Sequence, residues 1–266
     1  MKPDGRPDSV GQEVLFNVAG QVATVLLNRP ESRNAINGRV TRALRWIIDE
    51  IEQSPSIAIA VLGSSTPGTF CAGADLAEIA KGGGADLVDH EYGFAGFVRA
   101  PRAKPWIAAV DGPAMGGGFE LALSCEMIVA SDKALFGLPE VKRGLMAMAG
   151  GAIRLPRLLP RALAIEALIT GDPIGPDTAQ AYGLVNKVVK QDEVLSAAQS
   201  LAERVARNAP IALRESLALA RAASTGDEST LWAANDAAML RVASSEDARE
   251  GPRAFMEKRE PKWSGR

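Results

Sequence analysis

The alternation of hydrophobic and polar positions near the start of the chain predicts a β-hairpin. Residues 14–18 and 22–27 alternate or run apolar, and Ala19 and Gly20 lie between them. Two such runs joined by a short glycine-containing turn are typical of paired antiparallel strands. Pro30 follows the second run, and proline cannot donate to a sheet ladder, so we expect the strand to end before it.

A helical period replaces this alternation over residues 39–53. The apolar side chains there recur every three or four positions, which places them on one face of a helix. They are Val40, Leu44, Ile47, Ile48 and Ile51. Residues 57–62 and 106–110 are short apolar runs without alternation, which are typical of strands buried on both faces.

Each of these two apolar runs is followed by a glycine-containing turn and by the start of a helix. The first helix is predicted to begin near Asp75 and the second at Phe119. A recurring order of strand, turn and helix indicates an α/β domain built of stacked ββα turns. Residues 81–84 (KGGG) interrupt this order and predict a mobile linker, and the weak periodicity from there to Arg99 predicts a poorly ordered helix.

The last part of the chain has a different pattern. From about Pro156 it becomes helical, with one further strand predicted over residues 185–189, and from about Asp192 it is predicted to be all-helical. We therefore divide the chain into a core of residues 1–195 and a helical region of residues 196–266.

Composition excludes several classes of protein. The 266 residues are 47% hydrophobic with a net charge of −2, so no overall charge attracts nucleic acid or an acidic membrane surface. Two cysteines fit a reducing compartment better than a disulfide framework, and no apolar run approaches the roughly 20 residues of a membrane span. The first ten residues lack the apolar run of a secretory signal, so a cytoplasmic protein is expected. His90 is the only histidine, which disfavours a zinc site.

Two glycine-containing turns are the main candidates for chemistry. Residues 70–75 (FCAGAD) and 116–120 (GGGFE) each lead from a predicted strand into a helix. Backbone N–H groups at such a turn can stabilise an oxyanion, and a helix N-terminus adds unpaired N–H groups. Neither turn has the spacing of a nucleotide phosphate loop. Such turns are nevertheless often only structural, so the glycines alone leave the function open.

Four ordered motifs give the sequence a family resemblance. Residues 28–37 (NRPESRNAIN), 70–76 (FCAGADL), 112–122 (GPAMGGGFELA) and 136–141 (FGLPEV) resemble signatures of the crotonase superfamily, closest to the enoyl-CoA hydratases. The likeness runs in order from about Val14 to Trp263. It implies a crotonase-like spiral of stacked ββα units, followed by a C-terminal helical layer that assembles a homotrimer or a dimer of trimers.

The resemblance also implies roles for particular residues. The backbone N–H groups of Ala74 and Gly117 would form the oxyanion hole for an acyl-CoA thioester. Glu120 would hold and help to activate a water molecule, and Glu140 would exchange a proton at Cα. The substrate-binding positions would be Ala72, Ala74, Asp75, Leu76, Ala77, Gly116 and Gly117. No metal or separate cofactor is implied, since coenzyme A enters as part of the substrate.

An enoyl-CoA hydratase is thus the leading hypothesis, and three others stay open. A Δ3,Δ2-enoyl-CoA isomerase would need one glutamate, and a non-catalytic homologue would only bind acyl-CoA. RNA binding through Arg39, Arg42 and Arg45 is the third, although a solvated helix face explains these arginines better. Hydratases typically carry Pro-Gly and Thr-Gln where residues 147–148 and 152–153 read AM and AI, which leaves the acyl specificity open.

Overall fold

A computed structural model of the chain describes residues 5–266, in which ten strands and ten α-helices are found. The strands are β1 (Val14–Ala19), β2 (Val22–Leu27), β3 (Ile59–Ser64), β4 (Val88–Asp89), β5 (Gly93–Phe94), β6 (Trp106–Val110), β7 (Pro113–Met115), β8 (Met127–Ser131), β9 (Leu135–Gly137) and β10 (Lys187–Val189). The α-helices are α1 (Gly38–Gln53), α2 (Leu76–Ala80), α3 (Gly117–Ala122), α4 (Gly151–Leu158), α5 (Arg161–Thr170), α6 (Pro176–Ala181), α7 (Val194–Ala206), α8 (Pro210–Ala223), α9 (Glu228–Ser244) and α10 (Asp247–Glu257).

The main sheet has six strands in the order β1-β2-β3-β6-β8-β10. Strands β1 and β2 are antiparallel, with Val14 opposite Leu27, which confirms the predicted hairpin. All the later pairs in this sheet are parallel. Parallel neighbours need a crossover connection, and here each crossover carries the loops from which the candidate site is built.

A second, shorter ladder lies beside the main sheet. Strands β7 and β9 pair in parallel, and isolated bridges join Cys71 to Ala114 and Ile36 to Ala74. After each long strand, a few residues therefore pair with the equivalent residues of the neighbouring ββα turn, and the chain then enters a helix. This is the stacked ββα arrangement that the sequence predicts.

Both faces of the central strands β3 and β6 are buried, which explains their continuous apolar runs. In β3, Ala60 and Leu62 belong to the core shared with α1, whereas Ile59 and Val61 face α7. Helix α1 presents the predicted apolar face to that core. Its first turn is capped by Asn37, whose side-chain oxygen accepts a hydrogen bond from the N–H of Val40 at 2.8 Å.

The C-terminal helices pack in two different ways. Helix α7 buries four alanine or valine side chains and contacts β2, β3, β6 and β8, so it belongs to the sheet's second core. Helix α8 has no buried residue and α9 has only Ala238. The predicted boundary between residues 195 and 196 falls inside α7, and the division into two regions stays a prediction. No helix within residues 5–266 is long and apolar enough to span a membrane.

The helix predicted between the linker at residues 81–84 and Arg99 is wrong. The segment forms a 3-10 helix (Gly83–Leu87) and a small antiparallel hairpin of β4 and β5. A helix cannot continue here because Gly93, Ala95 and Gly96 all have positive φ, at 74°, 59° and 61°. The segment is anchored by aromatic side chains, since Phe97 is fully buried and meets Trp106 edge to face at 5.0 Å between ring centroids.

Candidate active site

The two glycine-containing turns lie directly against each other. The N–H of Met115 donates to the carbonyl of Cys71 at 2.9 Å, and the N–H of Cys71 donates to the carbonyl of Pro113 at 3.2 Å. The Cys71 thiol also donates to the carbonyl of Asn34 at 3.0 Å. The predicted oxyanion turns and the N-terminal motif are thus joined by backbone contacts.

Glycine is required where the turns approach most closely. A Cβ on Gly73, which has φ of 93°, would lie 2.8 Å from the carbonyl oxygen of Met115 and 3.0 Å from the nitrogen of Gly117. A Cβ on Gly118 would lie 2.2 Å from the carbonyl oxygen of Cys71. Any larger residue would push the turns apart, so these glycines set the distance between the two loops.

Two backbone donors are left free where the loops meet. Within residues 5–266, the N–H groups of Ala74 and Gly117 have no hydrogen-bond partner. The N–H of Ala74 points away from Ile36, its partner in the isolated bridge. The hydrogen bonds of that bridge run from the N–H of Ile36 to the carbonyl of Gly73 and from the N–H of Asp75 to the carbonyl of Ile36. Gly117 is the first residue of α3, where N–H groups have no partner inside the helix. Such a pair of rigid donors can receive a thioester oxygen that becomes negative.

An aromatic ring that the sequence did not single out lies beside this pair. A Cβ on Gly117 would lie 2.5 Å from the Cε1 atom of Phe94, so the ring packs on the glycine itself. Phe94 comes from the hairpin that was predicted to be a poorly ordered helix. Its position depends on the positive-φ residues around it, which a periodicity search does not detect.

Glu120 is enclosed within the first turn of α3 and is only 3% exposed. Its Oε1 accepts a hydrogen bond from the N–H of Gly151 at 2.8 Å, at the start of α4. The N-terminus of a helix favours a negative charge, so α4 holds one side of this carboxylate. Gly151 was not predicted, although the Gly150-Gly151 pair before a helical stretch was a signal for it.

Glu140 reaches the same place from the opposite side. Its Oε1 lies 3.1 Å from where a Cβ on Gly116 would be, so its carboxylate borders the α3 turn. Its Oε2 is buried and has no hydrogen-bond partner among residues 5–266. A buried carboxylate oxygen without a partner is rare and costly, and it fits a group that acts on a bound substrate or water.

Burial raises the pKa of both carboxyls of this pair. Desolvation raises the pKa of Glu120 to about 7, and the nearby charge of Glu140 adds to the increase, against the N–H of Gly151. Desolvation also raises the pKa of Glu140. Two carboxyls with raised pKa values beside a pair of oxyanion donors can both hold a water molecule and transfer protons.

The structure brings Ala74, Gly116, Gly117, Glu120 and Glu140 together. The other predicted substrate-binding positions lie along the loop that leads to them, where Ala72, Leu76 and Ala77 are exposed. The Asp75 carboxylate is engaged within the fold. It caps α2 through the N–H of Ala77 at 3.1 Å.

An ion pair fixes the first oxyanion turn to the N-terminal motif. Arg29 donates to Asp75 Oδ2 at 3.0 Å and to the carbonyl of Ala35 at 2.5 Å. Burial acts to raise the pKa of Asp75, but the hydrogen bond and charge of Arg29 and the N–H groups of Glu78 and Ala77 lower it overall. Neither contact was anticipated, because Arg29 and Asp75 lie far apart in the sequence.

The residues behind the alternative hypotheses are otherwise occupied. Arg39 pairs with Glu13 at 3.1 Å, and Arg45 pairs with Asp89 at 3.0 Å while its guanidinium lies 3.6 Å from the ring centre of Tyr92. Two of the three arginines of the basic helix face are therefore neutralised by carboxylates. Within residues 5–266, no three histidine, cysteine, aspartate or glutamate side chains come together as a metal site would require.

The comparison with known proteins gives consistent likenesses over the whole chain. Residues 17–266 match the family described as Enoyl-CoA hydratase/isomerase. A carnitinyl-CoA dehydratase of Proteus mirabilis is 37% identical over 262 residues, which are 97% of this chain and 100% of that protein. A crystal structure of an enoyl-CoA hydratase from Mycobacterium tuberculosis superposes with a TM-score of 0.92 at 38% identity, covering 96% of this chain and 99% of that one. A carnitinyl-CoA hydratase from Mycobacterium avium superposes with a TM-score of 0.78 at 41% identity, with coverage of 96% and 99%.

Proposed function

The chain belongs to the enoyl-CoA hydratase/isomerase family and is a hydro-lyase of acyl-CoA thioesters, and we propose that it adds water to a trans-2-enoyl-CoA to give a 3-hydroxyacyl-CoA. Family membership confirms the resemblance and the crotonase-like spiral that the sequence predicts. Hydratase and dehydratase describe the two directions of this one reversible reaction.

The carboxyl pair is the observation that supports this proposal. Glu120 and Glu140 border the same turn of α3, from which the free N–H of Gly117 also points. In the proposed reaction, water bound between the two carboxyls attacks Cβ of the enoyl group. The π electrons move towards the thioester oxygen, and the N–H groups of Ala74 and Gly117 stabilise the enolate.

Proton balance requires the pair to carry one proton before and after the turnover. We assign the delivery of a proton to Cα to Glu140. Glu120, ionised at that stage, orients the water and takes up its proton, and this proton passes to Glu140 before the next turnover. Desolvation raises the pKa of both carboxyls, to about 7 for Glu120, which favours one proton shared by the pair over two charges. The coenzyme A moiety would run along Ala74 and the exposed residues Leu76 and Ala77.

The acyl group is proposed to be apolar. Leu145 follows Glu140 closely, since its N–H donates to the carbonyl of Glu140 at 3.0 Å. Leu145, Met146 and Met148 are 52%, 57% and 69% exposed, so the loop beyond Glu140 presents apolar side chains. These would pack on a hydrocarbon chain better than on a charged group.

Relatives called carnitinyl-CoA dehydratase point to a second candidate, which is a thioester with a quaternary ammonium group in its acyl part. Purified protein should therefore be tested with crotonyl-CoA, with longer enoyl-CoA thioesters and with the dehydration product of carnitinyl-CoA. The proposal expects hydration of crotonyl-CoA or a longer apolar homologue at the highest kcat/KM. A preference for the ammonium-bearing thioester would show that the acyl group is not apolar. Turnover of 3-enoyl-CoA alone would favour the isomerase hypothesis.

A further inference from the structure

We propose that Arg154 is a positioning residue for the catalytic carboxyl Glu120, a role that rests on the proposed hydratase function. Arg154 lies on the first turn of α4, three residues after Gly151, whose N–H holds Glu120. The arginine does not touch the substrate site through a hydrogen bond to either glutamate. It acts through the backbone that holds Glu120 and through its positive charge.

The guanidinium of Arg154 joins two segments of the site. Its Nη1 donates to the carbonyl of Ala149 at 3.1 Å, and its Nη2 donates to the carbonyl of Val98 at 2.5 Å. Ala149 lies next to the Gly150-Gly151 turn, and Val98 lies in the segment that carries Phe94. One side chain thus fixes both the turn that holds Glu120 and the segment that packs on Gly117.

The Gly150 position is shaped around this contact. A Cβ on Gly150 would lie 2.1 Å from Arg154 Nη1, so the guanidinium packs directly on the glycine Cα. Gly150 also has φ of 109°, a conformation that other residues rarely adopt. Gly150 and Arg154 therefore fit each other, and the turn cannot keep its shape with a larger residue at position 150.

Within residues 5–266, no carboxylate lies within ion-pair distance of the Arg154 guanidinium. Arg154 and Glu120 act on each other's ionisation, and burial lowers the pKa of Arg154 while the Glu120 charge opposes that change. The like charges of Arg99 and Arg102 also face Arg154, as does the Cys125 thiol. Glu120 in turn faces Glu140 as its other charged neighbour.

Arg154→Met tests the role because it keeps an unbranched apolar stem and removes the charge and the donors. We expect kcat for enoyl-CoA hydration to fall at least about tenfold, while KM changes less than about threefold, because a small misplacement of a catalytic group is costly. The alkaline limb of the kcat–pH profile, where the pair loses its last proton, should move up by about half a pH unit or more. Arg154→Lys keeps the charge and should shift that limb less. Arg157→Met lies on the exposed side of α4 and should leave kcat and the pH limb unchanged.

A second readout does not depend on turnover. Glu120→Gln should raise the free energy of unfolding more at pH 8 than at pH 4. The increase at pH 8 should be larger when Arg154 is also replaced by Met, because the ionised Glu120 then lacks the favourable charge of Arg154. If the two substitutions are coupled in stability but the wild type hydrates no enoyl-CoA, Arg154 still positions Glu120 and the proposed reaction is wrong. If Arg154→Met changes kcat and KM equally, leaves the pH limb in place and shows no coupling, Arg154 is only structural and the inference is wrong.

Discussion

Glu120 combines two requirements that conflict in most proteins, because it is nearly inaccessible to solvent and, in the proposed reaction, has to change its protonation state. Its Oε1 accepts a hydrogen bond from the N–H of Gly151 at 2.8 Å, and the backbone of Ala149 also favours the ionised form. Desolvation exceeds the effect of that bond and raises the pKa of Glu120 to about 7. A pKa in this range suits the proton exchange that we propose for Glu120.

This burial should be visible in the stability of the protein. A carboxyl whose pKa is about 7 in the fold and about 4.3 in the unfolded chain favours folding below about pH 4. That contribution is lost as the pH rises through 7. Glu120→Gln imitates the protonated state, so it should raise the free energy of unfolding by about 1–3 kcal/mol at pH 8 and by little at pH 4.

Denaturant titrations of the wild type and of Glu120→Gln at the two pH values measure this difference. Glu166→Gln is a matched control, because Glu166 is exposed on α5 and the same substitution there should have little effect at either pH. A Glu120→Gln variant that is equally or less stable than the wild type at pH 8 would show that the buried carboxylate is not destabilising.

At the scale of single elements, the first turn of α3 contributes one of the two proposed oxyanion donors, the N–H of Gly117. Gly117→Pro removes the N–H at the first helical position, where proline is otherwise tolerated. Any side chain at this position meets the Phe94 ring, so Gly117→Ala is needed as a control that introduces Cβ and keeps the N–H. We expect kcat of Gly117→Pro to be about 10²–10³ lower than that of Gly117→Ala.

Steady-state hydration kinetics and coenzyme A binding of the two folded variants make this comparison. Binding of free coenzyme A should change little between them, since the proposed channel runs along Ala74 and Ala77 rather than past Gly117. Equal kcat values for the proline and alanine variants would remove the N–H of Gly117 from the mechanism.

The elements that the sequence predicted well are those with a local signal. Helix α1 has a regular apolar face and an Asn37 cap, and β3 and β6 are continuous apolar runs, so each could be located within about two residues. The segment over residues 81–99 could not, because its shape depends on positive φ angles and on aromatic anchors such as Phe97. Weak periodicity there reflected a backbone that is not α-helical.

The candidate site shows the same division. Glu120, Glu140 and the two glycine turns could be named from motifs that are continuous in the sequence. Gly151 and Arg154 could not be linked to Glu120, because 31 residues separate Gly151 from Glu120 and only the fold closes that distance. The role of Phe94 likewise depends on a contact with Gly117 that no local pattern encodes.

At the scale of the whole molecule, the outer helices expose more apolar surface than a monomer needs. Large apolar side chains on α9 and α10 are 58–81% exposed: Trp232, Met239, Leu240, Phe255 and Met256. Such surfaces mark contacts between proteins. We therefore propose the homotrimer, or dimer of trimers, that the family resemblance implies.

Light scattering coupled to size exclusion measures the assembly directly. The predicted mass is three or six times the 28.0 kDa of the chain. Leu240→Lys places a charge on this surface and should shift the distribution towards smaller species. A wild-type protein that is monomeric at micromolar concentration and fully active would contradict the proposed assembly.

The central claim is that Glu120 and Glu140 act together on one water molecule, and crotonyl-CoA hydration by Glu120→Gln and Glu140→Gln tests it most directly. Glutamine keeps the shape of the side chain but cannot exchange a proton, so each variant should lower kcat by roughly 10²–10⁴ while the protein stays folded. Neither substitution should alter coenzyme A binding much. Normal hydration by Glu120→Gln, together with loss of 3-enoyl isomerisation only in Glu140→Gln, would contradict the paired mechanism and identify a single-carboxyl isomerase.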